Sequence, residues 1–403
     1  MGGAPVVFPR VNNFYPPRVG GSAHMAESLA KGYVARGHEV LVITAWYPNA
    51  PAEETVDGVR IVRLPAVRMP KTKLAVNFDI TFATRPSLPK RLRALLGEFR
   101  PDVIHQHGQF FDLTWATGMW ARKNDVPVLL SVHTRLESPK PMYQAVFSTL
   151  DKLMVAPIMR RYKPKMVVMD RLMNSYIHTK YRGGFSGTVD IPVGLDPAWA
   201  RSGNPNRMRD ELGIGDAPMI LSLGHVIPLR DRITLTEAMP AVLREFPDAK
   251  LVVVGGIYYG AFLKRAEELG VRDAIITTGA APKADVPDYL ATADVECHSL
   301  QGIGFGTACL ETLAAGTPQI AAITEDHFGD IKIIDREHMH LVPVGDADAV
   351  AERLIEVLRD PEEARRMARN GMAIVDQHFS MTAVTEKYLA TLEELAAQSR
   401  AGR

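Results

Sequence analysis

Short apolar runs alternate with helical patterns along the whole of this 403-residue chain, and that alternation limits the folds open to it. In the first half the runs are Pro5–Phe8, Val40–Thr44, Val59–Leu64, Val103–His105, Val128–Val132, Met166–Met169 and Val189–Ile191. In the second they are Met219–Leu223, Lys250–Val254, Ala274–Thr278, Val295–His298, Gln319–Ala322 and His340–Pro343. Between them lie helical patterns such as Ser22–Arg36, Ile233–Glu245, Phe262–Leu269, Pro287–Thr292 and Ala347–Leu358. Continuous apolar strands are buried on both faces, and parallel neighbours need a crossover helix, so the pattern predicts α/β, doubly wound parallel sheets covered by helices. A chain this long exceeds one ordinary core, which predicts two Rossmann-like domains.

The boundary is expected within Pro192–Gly215, where Pro and Gly cluster and the charge changes sign. The predicted division is 1–195, 196–380 and a C-terminal segment, 381–403, whose amphipathic stretch Thr382–Ala397 packs back on the first domain. Two such domains would face each other across a cleft, with ligands at the carboxyl ends of the strands.

Composition excludes several classes. Apolar residues make up 46% and charged residues 23%, as in an ordinary soluble globular protein. No apolar run reaches the roughly 18 residues that span a membrane, and no signal peptide is read at the start. Two cysteines, Cys297 and Cys309, are too few for a disulfide framework, which points to a reducing, cytoplasmic setting.

Residues 1–195 hold 26 Lys and Arg against 14 Asp and Glu, and the remainder 21 against 32. The basic half suits anionic lipid or a phosphorylated acceptor, or it balances the acidic half. Pro89–Arg100 reads either as a basic amphipathic helix at the inner face of an anionic membrane or as a surface helix over the sheet, and Arg160–Lys165 adds charge nearby. Nucleic acid has only this basic half in its favour and is not expected as a partner.

The strongest local signal is Gly302-Ile303-Gly304-Phe305-Gly306-Thr307, which runs into a short helix carrying Glu311. Such a junction aims unpaired backbone N–H groups and a positive dipole end at one spot, which suits a phosphate. Glu311 lies one turn after Thr307, so a hydroxyl stands by the phosphates and a carboxylate within reach of a ribose diol. Asp346-Ala347-Asp348 resembles a metal-binding carboxylate pair, but it precedes a helix and reads as an N-cap.

Further landmarks follow in order: Tyr15-Pro16-Pro17-Arg18-Val19-Gly20-Gly21-Ser22, Arg36-Gly37-His38-Glu39-Val40, Asp102–Gly108, Ser131-Val132-His133-Thr134, Ile191–Asp196, Leu221–His225 and Arg230. With Gly304-Phe305-Gly306 and Glu311, this series resembles the family-4 retaining glycosyltransferases of GT-B fold over roughly residues 5–395. The resemblance implies metal-independent transfer of a sugar from a UDP- or GDP-linked nucleotide sugar to an acceptor hydroxyl, without a cofactor. The acceptor would be a glycan, a lipid-linked sugar or a small molecule.

The resemblance also implies residue roles. Gly20, Gly21, His225, Arg230, Gly304, Phe305, Gly306, Thr307 and Glu311 would hold the donor. Thr134, Arg135 and His107 would meet the acceptor, and His133, Arg230 and Gly21 would stand nearest the chemistry. On residue type alone, Gly20-Gly21 is equally a helix entry, and His133 equally a structural histidine at a strand end. His105 and His107 share a strand face, but two ligands without a third make a poor metal site.

Two departures stand out. Ile303 occupies the place of the family's usual glutamate and cannot hydrogen-bond to a donor sugar. Gly224-His225 replaces the usual Gly-Arg, leaving Arg230 as the firm positive charge. A nucleotide-sugar epimerase and a non-catalytic nucleotide-sugar binder are the alternative readings. A nicotinamide dehydrogenase is disfavoured, because Gly255–Gly260 misses the dinucleotide spacing.

Overall fold

The computed structural model describes residues 6–18, 21–68, 81–137, 141–230, 232–302 and 304–401. The chain divides into two compact units: Met1–Pro192 with Val384–Arg403, and Val193–Ala383.

The first unit carries β1 (Val7–Val11), β2 (Glu39–Ala45), β3 (Glu53–Val56), β4 (Val59–Leu64) and the two-residue strands β5 (Val67–Arg68) and β6 (Thr81–Phe82). It continues with β7 (Ile104–His107), β8 (Val128–Ser131), β9 (Lys165–Val168) and β10 (Gly187–Asp190). Eight of these form one sheet in the order β10-β9-β8-β7-β1-β2-β4-β3. Every pairing is parallel except β3 with β4. The edge strand β3 is absent from the apolar pattern because Glu53, Glu54 and Thr55 are polar. Asp57 and Gly58, both at positive φ, close its hairpin to β4.

The apolar runs fill the interior as the alternation predicts: Phe8, Leu41, Ile43, Ile104, Leu129 and Leu130 are fully buried. The helix Leu88–Phe99 packs Leu88, Leu92 and Leu96 into the core beneath the sheet edge. Its apolar stripe is therefore spent on the protein, so of the two readings of this segment the structure has the surface helix over the sheet rather than the amphipathic membrane helix. The helix Met381–Ala401 belongs to this unit. Arg400 pairs with Asp102 at 2.6 Å, and Tyr388, fully buried, hydrogen-bonds to Ser131 at 3.0 Å.

The second unit carries β11 (Met219–Leu223), β12 (Lys250–Val254), β13 (Ile275–Gly279), β14 (Val295–Cys297), β15 (Gln319–Ala321) and β16 (His340–Leu341). They form one parallel sheet in the order β13-β12-β11-β14-β15-β16. Helices such as Ile233–Glu245 and Ala347–Arg359 pack Leu235, Met239, Val350 and Leu354 onto it. Asp346 caps the latter helix by accepting from the Ala349 N–H at 2.9 Å. In both sheets the strand order reverses beside the first strand, at β7/β1 and at β14/β11. Each unit thus has a crevice at the carboxyl ends of those strands, where ligands bind in such sheets.

Candidate active site

In the second unit the crevice is built from the loops after β11 and β14. Gly302 (φ 65°) and Gly304 (φ 116°) take backbone angles that L side chains rarely adopt. The Ser299 hydroxyl donates to the Gly304 carbonyl at 2.7 Å and pins the turn. The loop delivers Gly306 as the N-cap of the helix Thr307–Ala315, and no side chain caps it. The Thr307 and Ala308 N–H groups thus stand at the positive end of the helix dipole, while the Cys309 N–H turns back to the Gly306 carbonyl at 3.0 Å. A pocket at this point is lined by Arg230, His298, Ser299, Gln301, Gly304 and Gly306. A Cβ built on Gly306 would meet the Arg230 guanidinium at 3.5 Å, so Arg230 lies over the loop backbone. Thr307 is exposed at the helix start. Glu311, one turn on, is half-buried, and burial raises its carboxyl to about 7 against the pull of Lys283.

Other expected donor residues are placed differently. The Phe305 ring is buried against Phe328, with ring centroids 5.8 Å apart, and its N–H donates to His327 Nε2 at 3.3 Å. Phe305 therefore anchors the loop rather than meeting a phosphate. His225 is exposed, and its Nδ1 accepts from the Gly256 N–H at 3.0 Å, which leaves Nε2 for a ligand. Gln301 lines the pocket and donates to Thr234 Oγ1 at 3.2 Å. Gly20 and Ile303 lie outside the described residues.

Beneath the loop sits a charged pair with no counterpart in the motif reading. Glu296, fully buried on β14, accepts from the Leu223 N–H and from Gln319 Nε2, and it contacts His298 Nδ1. The other nitrogen of His298 lies 3.5 Å from Cys309 Sγ. Burial opposes protonation of His298, but its contacts with Cys309 and Glu296 outweigh that and carry it up to about 9. Arg232, also buried, donates to the Gly224 carbonyl at 3.1 Å and to that of Arg230 at 2.8 Å, so it holds the loop that carries Arg230. The signal for the pair was a carboxylate and an imidazole two residues apart at the end of a buried strand.

In the first unit the parallel register sets Arg10 beside His105 and His107 beside Ser131. All four side chains are fully buried. Arg10 donates to His105 Nδ1 at 3.2 Å and to His107 Nε2. His107 Nδ1 meets His133 Nε2 at 2.6 Å, and the two ring planes lie within 16° of each other. His107 is thus closed off behind His133, which corrects its assignment to the acceptor. His133 is half-buried just past β8, and burial together with the Arg10 charge lowers its imidazole to about 3. Thr134 is exposed, and its carbonyl accepts from Gln109 at 2.7 Å. Arg135 reaches Glu137 at 3.6 Å. Gly21 is exposed as the first residue of the helix Gly21–Val34, and a Cβ there would meet nothing within 4 Å. Arg10 escaped the sequence reading, in which the first strand stopped at Phe8.

Two doubly wound units, one with a glycine loop and an open helix N-terminus at its switch point, define a glycosyltransferase of GT-B fold. Residues 205–373 match the family described as glycosyl transferases group 1, and residues 20–163 match the glycosyl transferase 4-like domain. The chain belongs to these GT4-like group 1 glycosyltransferases as a divergent member.

Among its relatives is the GDP-mannose-dependent alpha-(1-6)-phosphatidylinositol monomannoside mannosyltransferase of Mycolicibacterium smegmatis. The two are 26% identical over 380 residues, covering 90% of this chain and 91% of the relative. Sucrose-phosphate synthase from Thermosynechococcus elongatus superimposes with a TM-score of 0.70 at 22% identity, covering 97% of this chain and 99% of that one. The Anabaena HepE protein in complex with UDP gives 0.68 at 17% identity, covering 96% and 99%. Among the described residues, no helix is long and apolar enough to cross a membrane.

Proposed function

We propose that this glycosyltransferase retains the anomeric configuration of its donor, works without a metal ion and takes a nucleoside-diphosphate sugar. The observation that carries the reading is the uncapped helix start at Gly306–Thr307 with the Arg230 guanidinium over it. The diphosphate would take the free N–H groups and Arg230, whose fixed charge stabilises the leaving group as its bond to the sugar breaks. Glu311, when ionised, would accept from the ribose hydroxyls. Arg230 supplies the positive charge that a metal ion would otherwise bring.

The residues of the first unit that would serve the sugar and acceptor are Gly21, His133 and Thr134. Attack would come from the leaving-group face, with the departing diphosphate as base. The likeness to a GDP-mannose-dependent enzyme puts GDP-mannose first among donors, and a lipid-linked sugar first among acceptors.

The segment Pro141–Val155 would meet such an acceptor's membrane. Met142 and Leu153 are 68% and 67% exposed there, beside exposed Lys152, Arg160 and Arg161. Exposed apolar side chains in a stretch that also carries cations suit an anionic bilayer surface. Binding to anionic vesicles that survives Met142→Ser with Leu153→Ser would remove this part of the reading.

The donor reading is tested by thermal shift with UDP, GDP and ADP and their sugar conjugates. A ligand at 100 times its Kd stabilises by about 2.7 kcal/mol, which is easily read. A shift with GDP and GDP-mannose is expected, and no shift with any diphosphate would overturn the site.

A further inference from the structure

The buried polar cluster of the first unit has a direction. Arg10 is 0% exposed, and its hydrogen-bond partners are two histidines and the Tyr33 hydroxyl rather than a carboxylate. A guanidinium has only donors and keeps its proton, so every atom it bonds to must accept. That rule places the remaining protons. His105 Nδ1 accepts from Arg10, so a neutral His105 carries its hydrogen on Nε2 and donates to Ser131 Oγ at 3.0 Å. Ser131 in turn faces the Tyr388 hydroxyl at 3.0 Å. His107 Nε2 also accepts from Arg10, so its hydrogen sits on Nδ1 and points at His133 Nε2, 2.6 Å away. His133 Nε2 must then accept, and the hydrogen of a neutral His133 is left on Nδ1. Among the described residues, that Nδ1 has no protein partner.

The three imidazoles stay neutral. Burial and the Arg10 charge both lower His105 and His107 well below the usual range, as they lower His133. The titratable groups facing the cluster from neighbouring elements are Tyr33 on the helix Gly21–Val34, Tyr388 on the helix Met381–Ala401 and Tyr15 in the loop after β1, and burial raises all three phenols, so none brings a negative charge to restore protonation.

We infer that Arg10 is a positioning residue: through His107 it sets the tautomer of His133, making His133 an obligate Nδ1–H donor to a ligand hydroxyl or phosphate oxygen and barring it from acting as a base. That the ligand belongs to the donor sugar or the acceptor rests on the transferase reading, whereas the placement of the protons does not. The two can therefore fail separately. Arg10 itself touches no substrate in this account. It acts at a distance by fixing one hydrogen on each of two rings, which neither packing nor charge alone would do.

The test is long-range ¹H–¹⁵N correlation on the full chain labelled at histidine nitrogens, from pH 8 to 5.5. The expected result is His133 and His107 as neutral Nδ1–H tautomers and His105 as Nε2–H, with none of the three titrating. A His133 with its hydrogen on Nε2, or one that titrates within this range, overturns the inference whatever the activity.

Two variants extend the test. His107→Asn keeps an N–H where Nδ1 stood and should preserve the His133 tautomer, whereas His107→Leu should release it to a mixture of Nδ1–H and Nε2–H forms, still neutral because burial and the Arg10 charge remain. If both variants show the same His133 signature, the relay is refuted. Transfer should fall at least tenfold in His107→Leu and should be largely rescued in His107→Asn. Predicted tautomers together with full turnover in His133→Ala would leave the proton relay standing and remove only the role of His133 in transfer.

Discussion

Glu311→Gln separates binding from folding within one side chain. Glu311 is half-buried near the pocket, and burial raises its carboxyl to about 7 from an ordinary 4.5. A raised acid binds more protons in the folded than in the unfolded state between those values, so its contribution to stability falls as pH rises through that window. At 1.36 kcal/mol per unit, the ionised carboxylate burdens the unliganded fold by up to about 3 kcal/mol above pH 7, and partial exposure brings this to roughly 1–3.

Glutamine has nearly the same shape and no charge to desolvate. The variant should match the parent at pH 5 and exceed it at pH 8 by about 2–4 °C in Tm per kcal/mol. Its nucleotide affinity should fall, because an ionised acceptor for the ribose hydroxyls is worth about 1.5–3 kcal/mol, or roughly 10–100-fold. In the parent, nucleotide affinity should rise as pH climbs toward 7, since binding selects the ionised form. Scanning fluorimetry from pH 5 to 8.5, with and without GDP, reads all three effects. A variant less stable than the parent at pH 8, or one that binds GDP unchanged, would refute the assignment.

Arg230 is exposed, so Arg230→Ala should leave the unfolding free energy within about 1 kcal/mol of the parent while lowering kcat by about 100-fold or more. Full turnover in this variant would displace Arg230 from the diphosphate. Gly21→Ala adds a methyl that meets no protein atom within 4 Å, so folding should be indifferent and transfer should drop at least tenfold if a ligand approaches that backbone. Unchanged kinetics would make Gly21 a helix entry only. His298, raised to about 9 from an ordinary 6.5, contributes stability that is whole below about pH 6.5 and lost as pH rises through 9. Thermal unfolding should weaken across that window in the parent and lose the slope in His298→Gln, and a parallel slope in both would assign it elsewhere.

Local pattern was enough for much of this molecule. Val59–Leu64, Met219–Leu223, Lys250–Val254 and Ile233–Glu245 sit where their periodicity placed them, because each is a buried strand or amphipathic helix whose side chains can be satisfied in only one way. The glycine loop was legible for a similar reason: positive φ at Gly302 and Gly304 and an uncapped helix start are backbone requirements written in residue type. What pattern left open is where a polar side chain points once strands are laid side by side.

Arg10, His105, His107 and His133 are separated by up to 123 positions in the sequence, and only the parallel register of β1, β7 and β8 makes them one network. For the same reason the sequence could nominate His107 for the acceptor, while the sheet decided that it stands behind His133. Likewise Glu296 and His298 read as part of an apolar run, and only their burial beneath the loop turns them into a charged pair. Residue type and spacing determine which elements form and which backbone bends are permitted, because those interactions are local. The partners of buried polar groups are decided by tertiary structure, because hydrogen bonds act over about 3 Å and the chain supplies such neighbours only after it has folded.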